Sequence, residues 1–294
     1  MLRTVRTSTL CIGFEELGPT DGKPIVLVHG FPYSPHAYEA VAAPLATHGF
    51  RTIAPYLRGF GATCFRDANA MRTGEQAALG CDVLELITAL GLKRPLVVGY
   101  DWGSRAVCIA AIVAPAVVRG VLTFGAYPVF GPPITTPLDP AVEHLVWYQH
   151  FLTTPRGRAM LTANRRGFCR YLWTLWSPTW RFDDATFDAT ARHYENADFV
   201  DVVLHFYRYR NGLAEGDPKL AQLARRLEQR PDITVPATLL RGSEEPSAPG
   251  SELGCERFTS SLAYRELPGV GHNTPQEAPG EVVSAVLELD ARAP

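Results

Sequence analysis

No apolar run in this chain is long enough to cross a bilayer. The longest, Ala106 to Leu122, is interrupted by Pro115 and Arg119, whereas a spanning helix needs about 20 consecutive apolar residues. A surplus of either charge is also missing. A formal net charge of −2 over 294 residues gives no field to gather nucleic acid or an anionic membrane, so a small molecule is the expected partner. The opening residues Met1-Leu2-Arg3-Thr4-Val5-Arg6 lack the apolar core of a secretory leader. Cys11, Cys64, Cys81, Cys108, Cys169 and Cys255 form no C-x-x-C pair and have no histidine at metal-ligand spacing. They read as free thiols in a reducing compartment, so the protein is expected to be cytoplasmic and to need no metal or cofactor. Internal repeats and low-complexity tracts are absent too.

What is present is an ordinary globular composition, 46% hydrophobic and 20% charged, in which strand and helix patterns alternate. A leading antiparallel pair is expected around Val5 and over Leu10 to Glu16. Ile25-Val26-Leu27-Val28 and Pro95-Leu96-Val97-Val98 are short apolar runs of the kind that buried parallel strands give. Residues 35 to 47, Gly74 to Leu90 and Gly103 to Ala114 carry helical periodicity, and Arg51 to Ala54 and Val118 to Phe124 read as further strands. This βαβα grammar predicts a mostly parallel sheet flanked by helices. It stops near residue 128, where Pro128, Pro132, Pro133, Pro137 and Pro140 form a breaker-rich linker. A helix-only block rich in aromatics follows, and strands return at Ala237 to Leu240 and near Ala263-Tyr264. The predicted division is a core over 1–130, a helical cap over 131–231, and the rest of the core over 232–294.

The chemistry centres on Gly99-Tyr100-Asp101-Trp102-Gly103, at the junction of a buried strand and a helix. Small residues flank an exposed central side chain, as in a nucleophile elbow. An aspartate in this place can also be an ordinary helix N-cap. His29-Gly30-Phe31-Pro32 directly follows another strand, where a loop can donate an N–H to an oxyanion; Phe31 and Trp102 are the candidate donors. Gly271-His272-Asn273 offers a base on a loop after the last strand. Between them, Glu244 and Glu245 follow the strand ending at Arg241-Gly242. The order nucleophile, acid, base suits one catalytic set, with Glu244 and Glu245 both open as the acid.

Taken together, H-G-F-P, R-G-F-G (Arg58 to Gly61), G-Y-D-W-G and G-H-N resemble the α/β-hydrolase superfamily, in particular its epoxide hydrolase and haloalkane dehalogenase branch. The resemblance implies an α/β-hydrolase fold with an inserted helical cap. A carboxylate nucleophile suits attack at a saturated carbon, because the ester it leaves can be hydrolysed, whereas a serine would leave an inert ether. Two cap tyrosines, Tyr148 and Tyr207, resemble the acids that epoxide hydrolases use. The resemblance therefore implies hydrolysis of a small hydrophobic epoxide by water to a diol. Asp101 would be the nucleophile, His272 the base, Glu245 its orienting acid, and Tyr148 and Tyr207 the proton donors. Phe31, Trp102, Gln149 and Trp176 are the expected substrate contacts. Haloalkane dehalogenation with the same Asp101, His272 and acid is the rival reaction, and a non-catalytic ligand receptor the rival class. A homodimer is left open, since cap and final-helix surfaces can both pair subunits.

Overall fold

In a computed structural model describing residues 2–133, 139–246 and 254–293, the chain begins with an antiparallel pair, β1 (Leu2–Arg6) and β2 (Leu10–Leu17). Met1 and Pro137 lie outside the described residues. Next come β3 (Lys23–Val28), α1 (Glu39–Thr47), β4 (Phe50–Pro55), the two-residue β5 (Cys64–Phe65) and α2 (Gln76–Ala89). Then follow β6 (Leu96–Gly99), α3 (Trp102–Val113) and β7 (Gly120–Phe124). Among the described residues, five α-helices are inserted at this point: α4 (Pro140–Phe151), α5 (Pro155–Trp176), α6 (Asp184–Ala191), α7 (Phe199–Arg210) and α8 (Ala221–Glu228). The core resumes with β8 (Ala237–Gly242), β9 (Leu262–Leu267), the short α9 (Thr274–Glu277) and α10 (Pro279–Arg292).

The strands form one sheet in the order β1-β2-β4-β3-β6-β7-β8-β9, with β5 paired to β2. From β4 to β9 every neighbouring pair is parallel. Ile25, Val26, Leu27 and Val28 are fully buried, as are Leu96, Val97 and Val98. Helices on both faces leave no polar side for these strands, which explains apolar runs where alternation would otherwise stand. The expected helix over 35–47 resolves into a 3₁₀ turn, Pro35–Tyr38, running into α1. β5 carries no signal of its own; pairing with β2 makes it a strand. No helix among the described residues is long and apolar enough to cross a membrane.

Parallel strands put their C-terminal ends on one edge of the sheet, and the loops leaving them face one another there. That edge carries His29–Phe31 after β3, Asp101 after β6, Glu245 after β8 and His272 after β9. Four segments far apart in sequence thus meet in a single crevice.

Candidate active site

Asp101 occupies the tight turn between β6 and α3 with φ 54° and ψ −120°. A non-glycine residue held there stores on the order of 1–3 kcal/mol of strain, so the surroundings have to enforce it. They do so by close approach. A methyl group on Gly103 would collide with the carbonyl oxygen of Val28, and one on Gly99 with that of Gly103. Although Asp101 stands at the N-cap position of α3, its carboxylate makes no capping hydrogen bond. Instead Oδ1 accepts the Phe31 backbone N–H at 2.7 Å. The capping alternative is answered by this geometry.

His272 is placed between two carboxylates. Its Nδ1 lies 2.7 Å from Glu245 Oε1 and its Nε2 lies 3.7 Å from Asp101 Oδ2. Glu244 is exposed and its carboxylate accepts from the Ser243 hydroxyl, so Glu245 is the acid that reaches the imidazole. Burial alone would depress the His272 pKa, but the two carboxylates outweigh it and raise it to about 10. The loop around His272 is clamped by a residue just beyond it. Glu277 accepts from Gly271 N at 2.8 Å, Asn273 N at 2.9 Å and the Ser177 hydroxyl at 2.7 Å. His272 N itself donates to the Trp176 carbonyl at 3.0 Å, so the end of α5 and the histidine loop are joined.

A cavity of about 290 Å³ opens beside Asp101 and His272. Tyr148, Gln149, Trp176 and Glu245 line it. The Tyr148 ring packs edge-on against Trp176 (5.0 Å between centroids) and Tyr207 (5.5 Å). Burial, reinforced by the Asp101 charge, pushes the Tyr148 hydroxyl up to about 12; burial likewise raises Tyr207. Both phenols therefore stay protonated near neutrality. The rings of Phe31, Trp102 and Tyr207 pack together at the back of the site, with Phe31 stacked on Trp102 at 5.4 Å and Trp102 on Phe206 at 4.0 Å.

The α/β-hydrolase fold family model matches residues 23–279. The chain belongs to that family. It is also similar in structure to a Klebsiella pneumoniae protein provisionally assigned as an epoxide hydrolase. The two share 39% identity and a TM-score of 0.95, over 99% of this chain and 97% of that one. Epoxide hydrolase A of Mycobacterium tuberculosis is 23% identical over 98% of this chain and 96% of its own length. A haloalkane dehalogenase of Mycobacterium marinum is 34% identical over 42% of this chain and 41% of its own.

Within this hydrolase fold, several residues of the crevice escape a reading by motif. Arg105 lies one helical turn after Asp101 and its Nη1 donates to the Asp101 carbonyl at 2.8 Å. The signal for it was available, since it is the one charge in the otherwise apolar stretch from Trp102 to Val113. Arg210, at the end of α7, lines the same cavity; nothing in its sequence surroundings sets it apart from Arg208. Ser177 and Glu277 matter through contacts 100 residues apart, which no local pattern carries. His29 proves to be a satisfied core histidine: Leu57 N donates to its Nε2 at 3.1 Å, its Nδ1 meets the Gly30 carbonyl at 2.8 Å, and burial lowers its pKa to about 3. Of the tryptophan stripe, Trp173 is buried with its indole N–H on the Pro32 carbonyl, and Trp176 faces the cavity.

Proposed function

We propose that this chain is an epoxide hydrolase that works through a covalent ester on Asp101. The observation that carries the reading is the orientation of the Asp101 carboxylate, which is held by the Phe31 N–H at 2.7 Å, turned away from capping α3, and faced by the His272–Glu245 pair. In the first step an Asp101 oxygen attacks an oxirane carbon. The C–O bond of the ring breaks, and its oxygen takes a proton from Tyr148 or Tyr207. That step neutralises Asp101. One of the two charges holding the His272 proton is then gone, so the imidazole passes that proton to the tyrosinate, which restores the phenol, and is left free to act as a base. Water, deprotonated by His272, attacks the ester carbonyl. The Phe31 N–H, with that of Trp102 as second donor, holds the resulting oxyanion; one such donor is worth roughly 3 kcal/mol. Collapse expels the diol alkoxide, which takes the proton from His272 and leaves one water oxygen in Asp101. Gln149 and Trp176 form the substrate wall, and the inserted helices serve as the cap.

Dehalogenation of a haloalkane is the second reading, favoured by the Mycobacterium marinum similarity. The two are separated by the leaving group, because an opening epoxide needs a proton donor where a halide does not. A single turnover in ¹⁸O-water with excess enzyme and an aryl epoxide tests the proposal. Heavy oxygen in the Asp101 peptide and light oxygen in the first-formed diol support it. Diol formation with unlabelled Asp101 would mean direct attack by water and would overturn it.

A further inference from the structure

Two arginines line the Asp101 cavity, and neither is held in an ion pair by an acidic side chain among the described residues. Arg105 and Arg210 make no ion pair with any Asp or Glu among the described residues, although both are partly buried. Arg105 Nε is buried with no hydrogen-bond partner. Their guanidinium carbons lie 4.0 and 3.2 Å from the centre of the same ring, Phe130. Glu75, Glu215 and Glu228 line the adjoining cavity with Arg210, yet none forms an ion pair with it.

Stacking on an aromatic face offsets part of the desolvation of a guanidinium, but it does not remove the repulsion between two cations sharing one ring. Burial and the neighbouring Arg105 charge lower the Arg210 pKa to about 9, and burial lowers that of Arg105 as well. Such an arrangement is poised for an anion. Around the nucleophile, Asp101 and Glu245 face His272, Arg105 and Arg210. With the imidazole protonated, one positive charge is in surplus, which matches a monoanion better than a dianionic phosphate. Forked N–H donors fit a carboxylate in particular. Arg105 is anchored to the Asp101 carbonyl, so its charge sits beside the nucleophile and not at the end of a long tunnel.

We propose that the substrate is an epoxide bearing a carboxylate on or next to the oxirane ring, which Arg105 and Arg210 grip while Asp101 attacks. This rests on the epoxide reading for the reaction but on the two arginines for the anion. It adds a negative charge to the small hydrophobic epoxide expected from the sequence.

The test compares 3-phenyloxirane-2-carboxylate with its carboxamide, which has nearly the same shape and no charge. For the wild type, kcat/KM should favour the carboxylate by about 100-fold. In Arg210→Gln the ratio should fall toward one, and Arg210→Lys should restore part of it. Arg210 is the cleaner target, because Arg105→Gln would also remove the bond to the Asp101 carbonyl. If the wild type hydrolyses both epoxides equally, or prefers the carboxamide, the anion site is refuted and the epoxide chemistry stands. If neither is hydrolysed, the reaction reading fails, and the anion site is then judged by calorimetric titration with 3-phenylpropanoate and 3-phenylpropanamide. Binding confined to the carboxylate, and lost in a folded Arg210→Gln protein, upholds it; equal binding of the two overturns it.

Discussion

His272 is held firmly by Glu245 and loosely by Asp101: the first contact is 2.7 Å, a hydrogen bond, and the second 3.7 Å, an ion pair only. The asymmetry separates orientation from chemistry. Nδ1 fixes the ring, and Nε2, which has no hydrogen-bond partner among the described residues, is the atom left to move a proton. A variant that fills the place of the ring with a neutral amide but cannot deprotonate water should stop the reaction half-way. His272→Gln is expected to form the Asp101 ester and then stall. Intact-mass spectrometry after mixing with substrate should show one substrate mass added per chain, absent in Asp101→Asn; an unmodified His272→Gln protein under conditions where the wild type turns over would count against the two-step route.

Removal of the phenols should act on the first step. Tyr148→Phe and Tyr207→Phe are each expected to slow Asp101 alkylation by roughly 10²-fold, the lower end of the usual gain from a general acid, and the double variant by considerably more. Rapid-quench measurement of ester formation reads this directly. Because burial and the Asp101 charge hold Tyr148 up to about 12, alkylation should show no loss from acid deprotonation between pH 6 and pH 10.

The raised pKa of His272 links stability to pH. The folded chain keeps a proton up to about pH 10 that an unfolded histidine releases near 6.5. Its contribution to stability is therefore complete below about pH 6.5 and is lost as the pH rises through about 10. Thermal unfolding between pH 6 and pH 10 should show this decline, and Glu245→Gln should flatten it by removing the largest of the favourable charges. Parallel curves for the two proteins would mean that the imidazole is not protonated in the fold.

Glu277 should behave as a positioning residue. Three donors converge on its carboxylate, and exchange of one oxygen for an amide sets donor against donor. Glu277→Gln is expected to cost about 1–3 kcal/mol of stability, as for other buried polar groups left unpaired. It should lower kcat more than it raises KM, because it displaces the base and leaves the cavity wall intact. Ser177→Ala, which removes one donor, should show the same pattern at smaller size.

The legible parts of this molecule are those whose causes are local. Ile25 to Val28 announce a buried strand because every one of their side chains is apolar, and Asp101 announces a strained turn because glycines stand at 99 and 103. His272 could be placed on a loop from its glycine neighbour. Its preference for Glu245 over Glu244 came only from the family resemblance, since adjacent residues on a turn point in different directions and only the fold shows which turns inward. Arg105 could have been noticed as a charge inside an apolar helix. Arg210 could not, because its meaning depends on Phe130 and Arg105, which come from other parts of the chain. The aromatic ring cluster of Phe31, Trp102 and Phe206 was likewise invisible, because its members come from three separate parts of the chain.

The hydrogen bonds from Ser177 to Glu277 and from His272 to the Trp176 carbonyl bear on how such a protein can be recombined. The inserted helices and the loop bearing the base do not meet as independent modules; they share a seam. A chimera that grafts foreign helices between β7 and β8 in order to reshape the cavity would cut that seam and misplace the histidine, even with every residue of the parent core retained. The transplant should succeed only where the donor brings its own hydroxyl to the position of Ser177, so the smallest exchangeable unit is larger than the insertion itself.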